Sequence, residues 1–280
     1  MDGKPGIGAA MNQPAHSTVD FLETGQGPLV VLVHSSVAGA RQWRRLMTDL
    51  ESRFRSRAVN LYGYGGTPPW PNERRQTLSD QAMLLEQIIP DDARAITIIG
   101  HSFGGSVAMK AALRFGPRVS RLVLFEPNPF YLLRLHGRLD AFAEVVALRD
   151  WVKRYGTLGD WAAVAERFAD YWNGPGSWES MPAERRAAFA NATKPVFFEW
   201  DTAMEETTTP TLTQLATSLP ARTLLITAAN TQRPLREIAE LLREACPHWS
   251  FEQVPDGGHM APLTRPDLVN PIVMDFLRQG

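Results

Sequence analysis

The chain has a single cysteine and almost no excess of either charge. Cys246 is the one cysteine among 280 residues, which excludes an intrachain disulfide and a metal site built from several cysteines. The 29 basic and 30 acidic side chains give a net charge of -1, so no basic surface for nucleic acid or for an anionic membrane is indicated. We expect Cys246, which follows a predicted helix, to be a thiol in the core.

Long apolar runs and targeting signals are also absent from the sequence. No apolar run is long enough to span a bilayer. Residues 1–17 lack a charged segment followed by an apolar block, so they show no signal-peptide pattern and are expected to form a loose leader. None of the six histidines forms a His-x-x-x-His pair, which argues against a zinc hydrolase. We therefore expect a cytoplasmic protein without a metal or cofactor that binds neither nucleic acid nor membranes.

Strand and helix patterns divide the chain into a core and an insertion. The patterns alternate in residues 1–129, after the leader, and again in 216–280, and such alternation favours a parallel sheet with helices on both faces. Residues 130–215 show helical patterns without a convincing strand. We expect one α/β core domain, formed by both alternating parts, and one helical domain. Residues 24–27, Thr-Gly-Gln-Gly, predict a hairpin turn between the first two strands.

Residues 99–105, Ile-Gly-His-Ser-Phe-Gly-Gly, lie between a β-branched run and a helical pattern. Gly100, Ser102 and Gly104 fit Gly-x-Ser-x-Gly at the strand-to-helix position that a nucleophile elbow requires. A serine in so tight a turn has strained backbone angles, and its neighbours must be nearly free of side chains. Its hydroxyl lies at a helix N-terminus, which favours developing negative charge. The pattern predicts a nucleophilic Ser102; an ordinary glycine-rich turn is the alternative.

The chain resembles the α/β-hydrolase family over nearly its whole length. The resemblance rests on the order and spacing of four elements: Leu32-Val33-His34, Leu61-Tyr62-Gly63-Tyr64-Gly65, the elbow at Ser102, and Gly257-Gly258-His259. It implies an α/β-hydrolase fold, with a mostly parallel central sheet flanked by helices. It also implies that residues 130–215 form an all-helical cap over the active site of a serine-nucleophile member.

The resemblance also implies the partners of the nucleophile. A serine hydroxyl needs a base within hydrogen-bond reach, and the family carries its base in the loop that here contains His259. Many relatives carry an orienting acid in the loop that here contains Asn230, but that loop has no carboxylate. The other known position is the end of the strand after the elbow helix, where this chain has Glu126. We assign the acid to Glu126, although many relatives have a glutamate there without using it. Asp256 is the alternative.

An oxyanion hole made of two backbone N–H groups is a further implication of the resemblance. One N–H belongs to Phe103, which follows the nucleophile, and the other to Ser36 in the loop after Val33. Relatives have His-Gly-x where this chain has His34-Ser35-Ser36, so Ser35 replaces a glycine and either serine hydroxyl could add a donor.

The predicted function is a serine hydrolase that cleaves a carboxylic ester or a similar acyl bond through an acyl-enzyme. Aromatic residues concentrated in 130–215 predict an apolar underside of the cap, and hence an apolar or uncharged acyl substrate of small to medium size. A serine nucleophile argues against haloalkane dehalogenases and epoxide hydrolases, which need an aspartate. Thioesterases, C–C bond hydrolases, perhydrolases and acyltransferases share this machinery, and a small-molecule receptor without turnover is the alternative from another class. No oligomeric state is predicted.

Overall fold

The computed structural model describes residues 19–204 and 209–279, so the predicted leader at 1–17 lies outside the described residues. The described residues form one sheet of seven strands. The strands are β1 (Phe21–Thr24), β2 (Leu29–Val33), β3 (Arg55–Val59), β4 (Ile96–His101), β5 (Val119–Phe125), β6 (Thr223–Ala228) and β7 (Ser250–Val254). Their order across the sheet is β1-β3-β2-β4-β5-β6-β7. All neighbouring pairs are parallel except β1 and β3.

The predicted hairpin between the first two strands is wrong. Strand β1 pairs with β3, and β3 lies between β1 and β2. The turn around Gly25 (φ 74°) therefore leads the chain past the position of β3 instead of folding it back on itself. Turn residues indicate only that the chain changes direction, whereas the pairing is decided by a strand that comes later in the sequence.

Helices cover both faces of the sheet. They are α1 (Arg44–Leu50), α2 (Leu78–Ile88), α3 (Phe103–Phe115), α4 (Tyr131–Leu135), α5 (Leu139–Thr157), α6 (Trp161–Asn173), α7 (Ala183–Ala192), α8 (Val196–Ala203), α9 (Leu212–Ser218), α10 (Arg233–Ala245), α11 (Ala261–Thr264) and α12 (Pro266–Arg278). The N-cap of helix α2 is Thr77, which forms a capping box in which Thr77 N–H donates to Asp80 at 2.8 Å.

Strand β2 shows why the central strands are apolar throughout. All five of its residues are buried. Successive side chains point to opposite faces, so Val31 and Val33 pack in one apolar cluster with α2, α3 and α10, while Val30 and Leu32 pack in a second cluster with α1 and α12. The two clusters therefore pack the sheet between helices on both of its faces.

The described part of the predicted insertion contains helices and no strand. Helices α4 to α9 all lie between β5 and β6. The domain boundaries at 130 and 215 stay a prediction. In residues 19–204 and 209–279, no helix combines the length and the apolar composition needed to cross a bilayer.

Candidate active site

Ser102 occupies the sharp turn between β4 and α3. Its backbone angles are φ 55° and ψ −122°, which a non-glycine residue adopts at a cost of about 1–3 kcal/mol. The surrounding backbone holds this conformation, because Ser102 N–H donates to the carbonyl of Phe125 (3.0 Å) and the Ser102 carbonyl accepts from Gly105 N–H (2.8 Å). The side chain is thereby placed at the N-terminus of α3.

The glycines of the elbow are required by close approach of the backbone. A Cβ on Gly104 would collide with the carbonyl oxygens of Val33 and His34, where β2 ends. A Cβ on Gly100 would collide with the carbonyl of Gly104 and with the side chain of Ala108. The absence of side chains therefore lets α3 start directly against the ends of β2 and β4.

The structure brings together the three side chains that the sequence assigned to nucleophile, base and acid. Nε2 of His259 lies 2.9 Å from Oγ of Ser102, and Nδ1 lies 2.8 Å from Oε2 of Glu126. All three residues are buried, although 157 and 133 positions in the sequence separate His259 from its two partners. Since a carboxylate only accepts, Nδ1 carries the proton and Nε2 is left to accept from the serine.

Glu126 is fixed at the end of β5 by contacts with the neighbouring strand. It has a positive φ of 41°, and its N–H donates to the carbonyl of Ile226 at 3.0 Å. Its second carboxylate oxygen, Oε1, accepts from the N–H of Ala228 at 2.7 Å. Both oxygens of this fully buried carboxylate are therefore hydrogen-bonded, which a buried charge requires.

The alternative acid, Asp256, is directed elsewhere. Its carboxylate accepts from the N–H of Gly257 at 2.7 Å and forms an ion pair with Arg265. Asp256 is exposed, as is Asn230 in the loop where many relatives carry an acid. The geometry thus places Glu126, and not Asp256, against His259.

Two further histidines near the site hold backbone groups. Nδ1 of His34 donates to the carbonyl of Ser35 (2.7 Å), and its Nε2 accepts from Leu61 N–H (3.1 Å). Burial lowers the pKa of His34 to about 4, so the ring is neutral. Nε2 of His101 bonds the carbonyl of His259 at 2.9 Å, and burial again lowers the pKa. Both imidazoles therefore support backbone groups beside the site.

Ser102 opens into a small cavity of about 30 Å³. Both residues predicted to form the oxyanion hole, Ser36 and Phe103, line this cavity together with Ser102 and His259. The hydroxyl of Ser35 is not free for the site, because it donates to Oε1 of Gln42 at 2.9 Å. The hydroxyl of Ser36 has a different partner.

That partner is Glu199 of α8, which the sequence reasoning missed. Its Oε2 bonds Oγ of Ser36, and its Oε1 accepts from the hydroxyl of Tyr64 at 2.8 Å. Burial raises the pKa of Glu199 to about 7. The sequence does carry a signal, since Glu199 shares a helical face with the apolar residues Val196 and Ala203.

Aromatic side chains from the insertion cover the site. The Trp172 ring lies on the His259 imidazole, with centroids 4.5 Å apart. Phe168, Trp172 and Trp200 line the small cavity. A second, outer cavity of about 370 Å³ shares Ser36, Phe168, Trp172 and Met260 with the first. Its walls add apolar side chains, namely Val37, Met181, Phe189 and Leu263, and polar ones, among them Arg185 and Asn173.

Within residues 19–204 and 209–279, no group of three or more His, Cys, Asp or Glu side chains is arranged to hold a metal ion. The arrangement offers acid–base and nucleophilic chemistry instead. A hydroxyl, an imidazole and a carboxylate form one hydrogen-bonded series beside a helix N-terminus, which is the arrangement used for acyl transfer.

Comparison with known sequences identifies the family of this chain. A family model described as "Alpha/beta hydrolase family" matches residues 30–272. A pimeloyl-[acyl-carrier protein] methyl ester esterase from Aromatoleum aromaticum is 36% identical over 107 residues, which are 38% of this chain and 40% of that protein. The corresponding esterase from Vibrio campbellii is 30% identical over 144 residues, covering 51% and 52% of the two chains. The chain therefore spans about half the length of these curated relatives, or less.

Solved structures share the fold over nearly the full chain. An esterase from Exiguobacterium antarcticum superposes with a TM-score of 0.72 at 19% identity, covering 93% of this chain and 96% of the other. A hydrolase from Oleispira antarctica gives a TM-score of 0.71 at 20% identity, with 94% and 96% coverage. At such identities the likeness shows the fold alone.

Proposed function

Because the chain belongs to the alpha/beta hydrolase family, we propose that it is a serine hydrolase that cleaves carboxylic esters through an acyl-enzyme. The observation that carries the proposal is the continuous hydrogen bonding from Ser102 through His259 to Glu126, at 2.9 and 2.8 Å. The names of the curated relatives, which are ester hydrolases, favour an ester over other acyl bonds.

In the proposed reaction Ser102 attacks the ester carbonyl while His259 Nε2 takes its proton. The N–H groups of Phe103 and Ser36 stabilise the negative charge that develops on the carbonyl oxygen. His259 then returns the proton to the leaving alcohol, and an acyl group remains on Ser102. Water, activated by the same imidazole, releases the acid. Glu126 keeps the proton on Nδ1 and stabilises the charged ring at each transfer.

The two cavities favour an unsymmetrical ester. The inner cavity, about 30 Å³, has room for a small group beside Ser102. The outer cavity, about 370 Å³ and largely apolar, has room for a longer chain. A methyl ester of an acid of medium chain length fits this pair of volumes, and methyl esters are also what the names of the curated relatives state. We propose such esters as the substrate class.

A panel of methyl esters with acyl chains of two to twelve carbons tests the proposal, with titration of released acid as the measurement. Multiple turnovers per enzyme, lost in Ser102→Ala, are expected, with kcat/KM rising with chain length and then reaching a plateau. The same acyl group as a bulky tert-butyl ester should react far more slowly. Stoichiometric binding without turnover would contradict the proposal and would favour a receptor.

A further inference from the structure

Glu199 is a buried carboxyl group in the cavity of Ser102, and the reaction proposed above does not use it. Only 3% of its surface is exposed. It reaches from α8 to the loop after β2, where Oε2 bonds the hydroxyl of Ser36. Its other oxygen accepts from the hydroxyl of Tyr64, which in turn accepts from Val37 N–H at 3.0 Å. The carboxyl group therefore holds the loop that carries the proposed oxyanion donor.

The protonation state of Glu199 decides whether the hydrogen of the Ser36 hydroxyl is bound to the carboxyl group or is available to another acceptor. A carboxylate only accepts, so in the ionised form both Tyr64 and Ser36 must donate to it. In the neutral form Tyr64 keeps donating to Oε1, because this oxygen is the acceptor that its hydroxyl hydrogen has in the structure, while its own oxygen accepts from Val37. The carboxyl proton on Oε2 then points to Ser36 Oγ, and the hydrogen of the Ser36 hydroxyl is released.

The released hydrogen has one useful destination. Ser36 lines the cavity that contains Ser102 and Phe103, so its hydroxyl can donate into the space where the carbonyl oxygen becomes negative. An ionised Glu199, which lines the same cavity, would instead place a second negative charge near that oxygen. Both effects make the neutral form the better one for acyl transfer.

We propose that Glu199 is a positioning residue that acts through Ser36: its neutral form makes the Ser36 hydroxyl a third donor of the oxyanion hole, and its ionisation withdraws that donor. The inference rests on the proposed ester hydrolysis and adds to it a proton-controlled element contributed by α8. It makes the efficiency of the enzyme fall as Glu199 ionises.

Tyr64 and His34, two ionisable neighbours of Glu199, do not change their charge near neutral pH, where Glu199 itself ionises. Burial raises the pKa of Glu199 to about 7, against the opposing effect of its bonds to Ser36 and Tyr64. Burial and Glu199 itself raise the pKa of Tyr64 well above the ordinary value. His34, whose ring lies 4.6 Å from that of Tyr64, has its pKa lowered to about 4. Neither of these neighbours changes its charge between pH 5 and 9.

Three other ionisable groups lie nearby. On α8 itself, the carboxylate of Asp201 pairs with Lys153 at 2.7 Å and does not line the cavity. Across the cavity lies the imidazole of His259, the proposed base. Ionisation of Glu199 lowers activity on the alkaline side. A plot of kcat/KM against pH, which reports groups of the free enzyme, should thus fall above pH 7 by up to about tenfold per unit.

The test is the pH profile of kcat/KM for methyl butyrate between pH 5.5 and 9.5, with titration of the released acid as the measurement. In Glu199→Gln the amide oxygen accepts from Tyr64 and the amide N–H donates to Ser36, as in the neutral acid. We expect the alkaline fall to disappear, with a rate within about threefold of wild type at pH 6 and at least about tenfold higher at pH 9. Asp201→Asn, which removes a carboxylate from the same helix, should keep the wild-type profile.

Two further variants separate the inference from a merely structural role. Ser36→Ala should lower kcat about tenfold at pH 6. It should also reduce the fall of kcat/KM on the alkaline side (the alkaline limb of the profile), because the hydroxyl donor that Glu199 controls is gone. In Tyr64→Phe the limb should move to higher pH, since the Tyr64 bond lowers the pKa of Glu199. This shift keeps the test valid if Glu199→Gln does not fold.

An alkaline limb that stays in place in a folded Glu199→Gln variant overturns the inference, while ester hydrolysis by Ser102 would still stand. Failure of the wild-type protein to hydrolyse any ester, together with no covalent labelling of Ser102, would overturn the proposed function and the inference with it.

Discussion

The backbone N–H of Ala228 donates to Oε1 of Glu126 across 2.7 Å, from the end of β6 to the end of β5. In many relatives that the chain resembles, the orienting acid follows the strand equivalent to β6. Here the same strand end supplies a hydrogen-bond donor in place of a carboxylate. The donor fixes one oxygen of Glu126 and leaves the other, Oε2, directed at Nδ1 of His259. An acid on the neighbouring strand can therefore reach the same imidazole.

The first prediction concerns this acid. Glu126→Gln keeps the shape of the side chain but can present an N–H to Nδ1, which favours the wrong tautomer of His259. We expect kcat to fall by roughly 10³–10⁴-fold, with the fold intact by circular dichroism. Asp256→Asn, in the exposed loop, should change kcat less than twofold. The opposite ranking of the two variants would assign the acid to Asp256.

The second prediction concerns the close approach at the elbow. A methyl group on Gly104 would strike the backbone carbonyls of Val33 and His34, which cannot rotate away as a side chain could. Gly104→Ala should lower the free energy of unfolding by roughly 3 kcal/mol or more, measured by urea denaturation. Gly159→Ala is the control, because its positive φ of 74° is strained for alanine but nothing lies near the added methyl. It should cost about 1–2 kcal/mol. Equal losses would contradict the packing argument.

The third prediction concerns Trp172, whose ring lies against His259 with centroids 4.5 Å apart and which lines both the inner and the outer cavity. Trp172→Ala should lower kcat/KM for methyl esters about tenfold or more, because the imidazole loses a wall that holds its orientation. The same change should allow bulkier alcohol groups. Trp172→Phe retains a ring and should lose less of both effects. An unchanged preference for small alcohols in Trp172→Ala would show that this ring does not limit the inner cavity.

The fourth prediction is a pH dependence of stability. Burial raises the pKa of Glu199 to about 7 from an ordinary value of 4.5. The folded state therefore holds a proton that the unfolded state has lost between these values, so the free energy of unfolding falls as pH rises through this range. The loss is complete above pH 7 and amounts to at most about 3 kcal/mol.

Glu199→Gln carries no ionisable group at this position and should not show that loss. Its stability relative to the wild-type protein should rise between pH 4.5 and pH 7 and stay constant above, as measured by urea denaturation at pH 4.5, 6 and 8.5. A constant difference between the two proteins over this range would contradict the raised pKa.

Local patterns in the sequence were sufficient for most of the elements. Strand β5 and helix α12 are segments of this kind, since apolar periodicity and flanking turn residues define them locally. The hairpin after β1 was predicted wrongly, because pairing with β3 depends on residues some 30 positions away. A local pattern carries no information about which strand arrives next to another.

In the candidate site, too, some features could be predicted from the sequence, whereas others depend on tertiary contacts. The nearness of Ser102, His259 and Glu126 was expected from the resemblance to the α/β-hydrolase family. In the structure all three follow strands whose carboxyl ends meet at one edge of the sheet. Glu199 was missed because its meaning depends on how α8 packs over Ser36, which is a tertiary contact. The aromatic residues that line the cavities, such as Phe168 and Trp172, could likewise not be separated by sequence from those that pack helix on helix.

Covalent labelling with a fluorophosphonate tests the central claim most directly. The probe should react at one site of the folded protein, and peptide mass spectrometry should place the phosphonyl group on Ser102. Labelling should be absent in Ser102→Ala and at least about 10²-fold slower in His259→Ala, because the hydroxyl loses its base. Labelling of equal extent and rate in wild type and Ser102→Ala would contradict the account.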